Sequence, residues 1–161
     1  MKGKIIIDGN KNKVESKSNL IISYYESELS IYNNVILCNN LNKISKSTVE
    51  YGSAICAFKS KINIYGGEIS NNFLEMNANK TNSDEANFPE NMQKDYSFEV
   101  RGAGMDLMFS KLYLYGGIIC NNEGIINSDI YSNKNYTNNN SKGYGIYQRC
   151  FGSAIFAEDH S

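Results

Sequence analysis

Ser60-Lys-Ile-Asn-Ile-Tyr-Gly-Gly-Glu-Ile-Ser-Asn-Asn72 returns as Ser110-Lys-Leu-Tyr-Leu-Tyr-Gly-Gly-Ile-Ile-Cys-Asn-Asn122. A looser copy, Ser27-Glu-Leu-Ser-Ile-Tyr-Asn-Asn-Val-Ile-Leu-Cys-Asn-Asn40, precedes both and carries one extra residue after its first Asn pair. Recurrence at a period of tens of residues is the mark of a repeat architecture, because each unit can bury its apolar face only against the next. Upstream, Gly52-Ser-Ala-Ile-Cys-Ala-Phe58, Gly102-Ala-Gly-Met-Asp-Leu-Met108 and Gly152-Ser-Ala-Ile-Phe-Ala157 begin at an even interval of 50 residues.

Alternation with period two assigns these strings to strands and decides which side chains turn inward. Leu29 and Ile31, Ile62 and Ile64, and Leu112 and Leu114 fall in shared inward columns, with Ser30, Asn63 and Tyr113 turned the other way. In the preceding strand, Ile22, Ile55, Met105 and Ile155 form one apolar column, and Tyr24, Ala57, Leu107 and Ala157 a second. The intervening Ser23, Cys56, Asp106 and Phe156 share no chemistry and are placed outward. Leu37, Ile69 and Ile119 face in from a third strand.

Punctuation fits the same plan. Gly66-Gly67 and Gly116-Gly117 are matched by Asn33-Asn34, a substitution expected where the backbone needs positive φ. The pairs Asn39-Asn40, Asn71-Asn72 and Asn121-Asn122 close the third strand, and stacked about 4.8 Å apart their amides can form a ladder. A row of β-hairpins is the competing reading, since Tyr-Gly-Gly-Glu between apolar runs also suits a two-residue turn.

The chain resembles right-handed parallel β-helix proteins of the pectin-lyase-like superfamily, and within them repeats of the polymorphic outer-membrane-protein type. Their paired motifs, Gly-Gly-Ala-Ile and Phe-x-x-Asn, are matched by Gly52-Ser-Ala-Ile55 and Gly152-Ser-Ala-Ile155 and, with Ile for Phe, by Ile69-Ser-Asn-Asn72 and Ile119-Cys-Asn-Asn122. Gly102-Ala-Gly-Met105 is more degenerate. The resemblance covers residues 18–72, 96–122 and 144–161. It implies an all-β, right-handed parallel β-helix solenoid of about four coils (18–44, 48–76, 96–126 and 144–161), with loop inserts over 77–95 and 127–143. Because the last copy breaks off within a repeat, the chain is expected to be a fragment of a longer protein.

Chemistry is sparse in comparison. Lys plus Arg (16) nearly balances Asp plus Glu (17), so no net field favours nucleic acid. No apolar run has the length of a membrane span, and residues 1–10 do not form a signal peptide. Cys38 and Cys120 share a column with Ser70 between them, on the order of 9.6 Å apart, whereas a disulfide needs about 7 Å or less. No Cys pair has zinc spacing, and no metal or cofactor is expected. The superfamily's hydrolase motifs, Asn-Thr-Asp, Asp-Asp and Gly-His-Gly, are missing. Glu158-Asp159-His160 reads as a polar strand end, and the sequons at Asn79, Asn135 and Asn139 are matches an Asn-rich chain produces by chance.

One column remains. Tyr32, Tyr65 and Tyr115 end the second strand facing outward, and stacked they form a ladder suited to sugar rings. The functional expectation is a non-enzymatic structural or recognition solenoid of a surface or secreted adhesin-like protein, with glycans or host and cell-surface proteins as partners. The alternative is a polysaccharide lyase or glycoside hydrolase whose active site lies outside these residues.

Overall fold

The computed structural model describes residues 3–10, 18–45, 49–77, 96–127 and 146–158. Every described element is a strand. β1 (Ile5–Asp8) comes first, ahead of the circuits. A first circuit follows: β2 (Ile21–Tyr24), β3 (Glu28–Ile31), β4 (Val35–Cys38), β5 (Leu41–Ser45) and β6 (Val49–Tyr51). The second comprises β7 (Ile55–Phe58), β8 (Lys61–Ile64), β9 (Glu68–Ser70), β10 (Phe73–Asn77) and β11 (Tyr96–Arg101). The third comprises β12 (Met105–Met108), β13 (Lys111–Leu114), β14 (Ile118–Cys120), β15 (Glu123–Asn127) and β16 (Ile146–Phe151), after which β17 (Ile155–Glu158) begins another.

Successive strands enter successive sheets. Sheet one is β2-β7-β12-β17, sheet two β3-β8-β13, sheet three β1-β4-β9-β14, sheet four β5-β10-β15 and sheet five β6-β11-β16. Every pairing among the described strands is parallel, which removes the hairpin reading. Register follows the repeat: Lys61 pairs with Lys111, Ile69 with Ile119, and Ile55 with Met105.

The main core runs through the stack and contains Ile31, Leu37, Ile55, Ala57, Ile62, Ile64, Ile69, Met105 and Leu107. A second cluster, Leu74, Met76, Val100 and Ala103, takes its first two members from the stretch that begins at Phe73, at the end of the 48–76 coil, and runs on into the polar insert. That stretch is β10 in its first five residues, because Leu74 and Met76 alternate inward on a strand too short to stand out among polar neighbours. The polar run from Asn42 to Ser45 likewise belongs to a strand, β5. The remaining inserts, the sequons, Asp159 and His160 lie outside the described residues.

Two column assignments change. Ile21, not Ile22, pairs with Ile55, and Ser23 pairs with Ala57. Ile22 and Tyr24 are therefore half-exposed, at 50% and 49%. Two adjacent isoleucines make both registers equally apolar at that column, so alternation alone cannot choose between them. Leu114 pairs with Ile64 yet is exposed, because β13 is the last described strand of sheet two and no described strand covers its outer edge.

The corners explain the punctuation. Asn39, Asn71 and Asn121 take positive φ (55°, 55° and 51°), so the first Asn of each pair is the turn. The second is the ladder: Asn40 and Asn72 are fully buried, and Asn122 nearly so. The Asn40 backbone N–H donates to Asn72 Oδ1 (3.1 Å), and that of Asn72 to Asn122 Oδ1 (3.1 Å). Asn72 Nδ2 also reaches Asn122 Oδ1 at 2.9 Å, and Asn122 Nδ2 donates to the Ile69 carbonyl at 2.9 Å. A serine column does similar work at another corner, with Ser27 Oγ 3.2 Å from Ser60 Oγ and the Ser60 N–H donating to Ser110 Oγ.

The Gly pair divides as well. Gly67 (φ 90°) and Gly117 (φ 104°) are left-handed, and a Cβ on Gly67 would lie 2.5 Å from the Val35 carbonyl oxygen. Asn33 and Asn34 are not left-handed. The extra residue in the first copy lets that corner close as an ordinary turn, with the Val35 N–H donating to the Tyr32 carbonyl at 3.0 Å. The Asn-for-Gly match is therefore not a shared φ.

Removing a buried amide strands its partners, whereas changing the turn residue to Gly does not. Asn72→Ala is expected to destabilise the fold by about 3 kcal/mol, and Asn71→Gly to change stability by less than about 1 kcal/mol. Urea denaturation of the two variants checks the contrast.

Candidate functional site

Sheet two presents its outer face through Glu28, Ser30 and Tyr32 in the first circuit, Lys61, Asn63 and Tyr65 in the second, and Lys111, Tyr113 and Tyr115 in the third. Parallel register places each set directly above the last, and the short strands hold the tyrosines at one corner. Tyr32 and Tyr65 stack with ring centroids 5.2 Å apart at 14°, and Tyr65 and Tyr115 at 4.9 Å and 4°. All three rings are exposed, at 56%, 44% and 64%.

Stacking of this kind has a chemical consequence that spacing in the sequence does not reveal. The faces of Tyr65 are occupied by Tyr32 and Tyr115, so along the row the rings offer edges and hydroxyls. A free ring face is left at each end of the stack, on Tyr32 and on Tyr115. Tyr113, outward by alternation, lies 6.5 Å from Tyr115 at an interplanar angle of 11° and extends the aromatic surface at that end. Sugar rings pack on aromatic faces, so the open surfaces are Tyr32 at one end and Tyr113 with Tyr115 at the other, rather than the whole column.

Polar groups surround it. Lys61 Nζ lies 2.9 Å from Glu28 Oε1, and Asn63 Nδ2 donates to the same oxygen at 2.6 Å. Hydrogen bonds from Lys61 and then Asn63 hold the Glu28 carboxyl below its usual range, and the bond to Glu28 raises Lys61. Both side chains are solvent-facing, so the pair orients groups more than it stabilises the fold. Lys61 Nζ also lies 5.6 Å from the centroid of Tyr113. Beyond the tyrosines, a shallow groove of about 540 Å³ crosses the corner past Lys4, Asn33, Gly66, Glu68 and Gly117. Gly116 adjoins Gly117 at the same corner.

A second aromatic cluster sits at the opposite edge of sheet two. Phe58 meets Tyr25 and Phe109 edge-on, each with centroids 5.6 Å away, and Tyr24 lies 6.1 Å from Phe58. Placing Tyr24 inward concealed it. The signal available in the sequence was Tyr24-Tyr25 followed one copy later by Phe58.

The cysteines are free thiols among the described residues: Cys38 and Cys56 are buried and Cys120 half-buried. Among the described residues no group of three or more His, Cys, Asp or Glu could hold a metal ion. No described helix is long and apolar enough to cross a membrane.

Asp106 departs most from expectation. Alternation puts it on the outward side, yet it and its register partner Cys56 are 0% and 4% exposed. Alternation identifies which residues share a face. It does not say whether that face is open. Neither Asp106 oxygen has a hydrogen-bond partner. Phe156 pairs with Asp106 from β17, with the Arg101 guanidinium 5.0 Å from its ring centroid, and Arg101 is ion-paired to Glu158. Burial pushes the Asp106 carboxyl from 3.8 up to about 7, with Arg101 pulling it down and Glu158 pushing it further up. Burial and then the Asp106 charge drive Cys56 to about 11, so its thiol is inert at neutral pH.

No protein-family model, curated protein or solved structure matches the chain.

The raised carboxyl sets a direction for stability. Below pH 3.8 both folded and unfolded chains carry the proton. Between that value and about 7 only the folded chain keeps it, so stability falls as pH rises through this window and the penalty is complete above it. Asp106→Asn is expected to raise the melting temperature by about 5 °C or more at pH 8 and by less than about 2 °C at pH 4. Parallel thermal melts of the two proteins across pH supply the check.

Proposed function

We propose that this chain is a stretch of right-handed parallel β-helix belonging to a surface or secreted adhesin-like protein, acting in recognition without catalysis. Its ligand surface is the outer face of sheet two, and the ligand class is glycan. The observation that carries this reading is the exposed Tyr32–Tyr65–Tyr115 stack beside Glu28, Lys61 and Asn63. Flat aromatic surface next to fixed hydrogen-bonding groups suits a sugar, which has an apolar ring face and a hydroxyl rim.

Within that site the roles differ. Tyr32 and Tyr115, the latter extended by Tyr113, offer the faces on which a sugar packs, Tyr65 joins them, and the exposed Glu28 and Lys61 groups meet the hydroxyls while the buried Asn63 amide holds the Glu28 carboxylate. Asp106, the carboxyl with the raised proton affinity, is enclosed, so in this conformation it cannot reach a glycosidic oxygen as an acid must.

The combined Tyr65→Ala and Tyr115→Ala variant is expected to lose retention on a glycan array, whereas Tyr24→Ala with Tyr25→Ala, at the other edge, retains it. Equal retention by all three proteins would remove the tyrosine row as the site. Release of unsaturated or reducing ends from polygalacturonate would replace recognition by catalysis.

A further inference from the structure

The tyrosine row holds three phenols against one another in the open. Tyr32 meets Tyr65 with ring centroids 5.2 Å apart, and Tyr65 meets Tyr115 at 4.9 Å with planes only 4° from parallel. All three side chains are exposed. Each follows directly on the last residue of its strand, and the backbone fixes it there. The Tyr65 N–H donates to the Ile31 carbonyl and the Tyr115 N–H to the Ile64 carbonyl, both at 2.8 Å. The rings are therefore held in contact for as long as sheet two is formed. These contacts lie between successive circuits and are set by the register of β3, β8 and β13.

We infer that Tyr32, Tyr65 and Tyr115 form a site of oxidative cross-linking, at which a haem peroxidase using hydrogen peroxide joins neighbouring rings as dityrosine. Each of two adjacent phenols loses one electron and one proton to the oxidant. The two radicals pair in a new bond between ring carbons ortho to the oxygens. The hydrogens on those carbons then move to the oxygens, which restores both phenols. One hydrogen peroxide accepts the two electrons and two protons and becomes two waters, so the protein loses two hydrogens for each link. The product is a solenoid stapled from one circuit to the next along its outer surface.

The surroundings favour this row. The chain contains no tryptophan, so no indole competes for the oxidant. The thiols of Cys38 and Cys56 are buried and that of Cys120 is half-buried, whereas the phenols face solvent. Tyr24 and Tyr25 are farther apart at 6.0 Å and tilted by 32°, and Tyr113 lies 6.5 Å from Tyr115. Coupling between chains is outcompeted at low protein concentration, because a tethered neighbour acts at an effective concentration of about millimolar or more.

The site does not depend on glycan binding and is tested apart from it. The folded full chain, at low micromolar concentration, is treated with a haem peroxidase and hydrogen peroxide. Dityrosine fluorescence is expected, with a monomer lighter by two hydrogens and peptide fragmentation placing the link at Tyr32–Tyr65 or Tyr65–Tyr115. Tyr65→Phe keeps a stacked ring but removes the central phenol, leaving Tyr32 and Tyr115 roughly 10 Å apart. That variant should lose about tenfold or more of the intrachain yield within the row. Tyr32→Phe should retain the Tyr65–Tyr115 link and Tyr115→Phe the Tyr32–Tyr65 link, with circular dichroism establishing that each variant is folded. In urea the preference for these pairs should vanish. A monomer mass unchanged by the oxidant, links formed mainly between chains or at other tyrosines, or links in the row that persist undiminished in urea would each overturn the inference.

Discussion

A parallel strand can satisfy its backbone only with neighbours a full circuit away in the chain, and that requirement governs this structure. Ile5 finds its partner at Val35, Ile21 at Ile55, and Ile55 at Met105. Every circuit must therefore bring five strands back over the preceding five in the same register, however much chain lies between. Inserts of different length are tolerated outside the strands because loop closure costs grow only slowly with length. The corners are not tolerant, since a misplaced corner shifts every strand after it and turns its apolar set to the wrong face.

This is why the polar residues that recur most faithfully are found at corners and why many of them are buried. Asn40, Asn72 and Asn122 join one circuit to the next through side-chain amides, in places where backbone groups would otherwise be stranded away from water. The residues before them turn the chain through left-handed φ at the same step. Ser27, Ser60 and Ser110 repeat the arrangement with hydroxyls. Apolar columns determine which face is inside, and the corner amides and hydroxyls determine how far each circuit advances before the next begins.

The outer surface obeys the same stacking and gains its chemistry from it. Tyrosines that recur at one position become a stack, with its faces closed within the row and open at its ends, Tyr32 and Tyr115. An acid that occurs once in its column becomes a buried carboxyl, as at Asp106, since the residues above and below it, Phe156 and Cys56, offer no counter-charge. Repetition thus makes a surface of one residue type and an isolated charge of another.

Much of this was legible in the chain itself. The Ser60–Asn72 string and its copies determined strands, stacking, the inward columns of the second and third strands, and the positions of the corners, because those follow from local alternation and from residues that tolerate tight turns. The tertiary structure alone decided the rest. It selected Ile21 over Ile22 as the partner of Ile55, because two adjacent isoleucines satisfy either register. It made strands of Leu41–Ser45 and Phe73–Asn77, because those short runs gain their order from the sheets they join. It buried Asp106, because periodicity names the residues that share a face, and only packing determines what covers it.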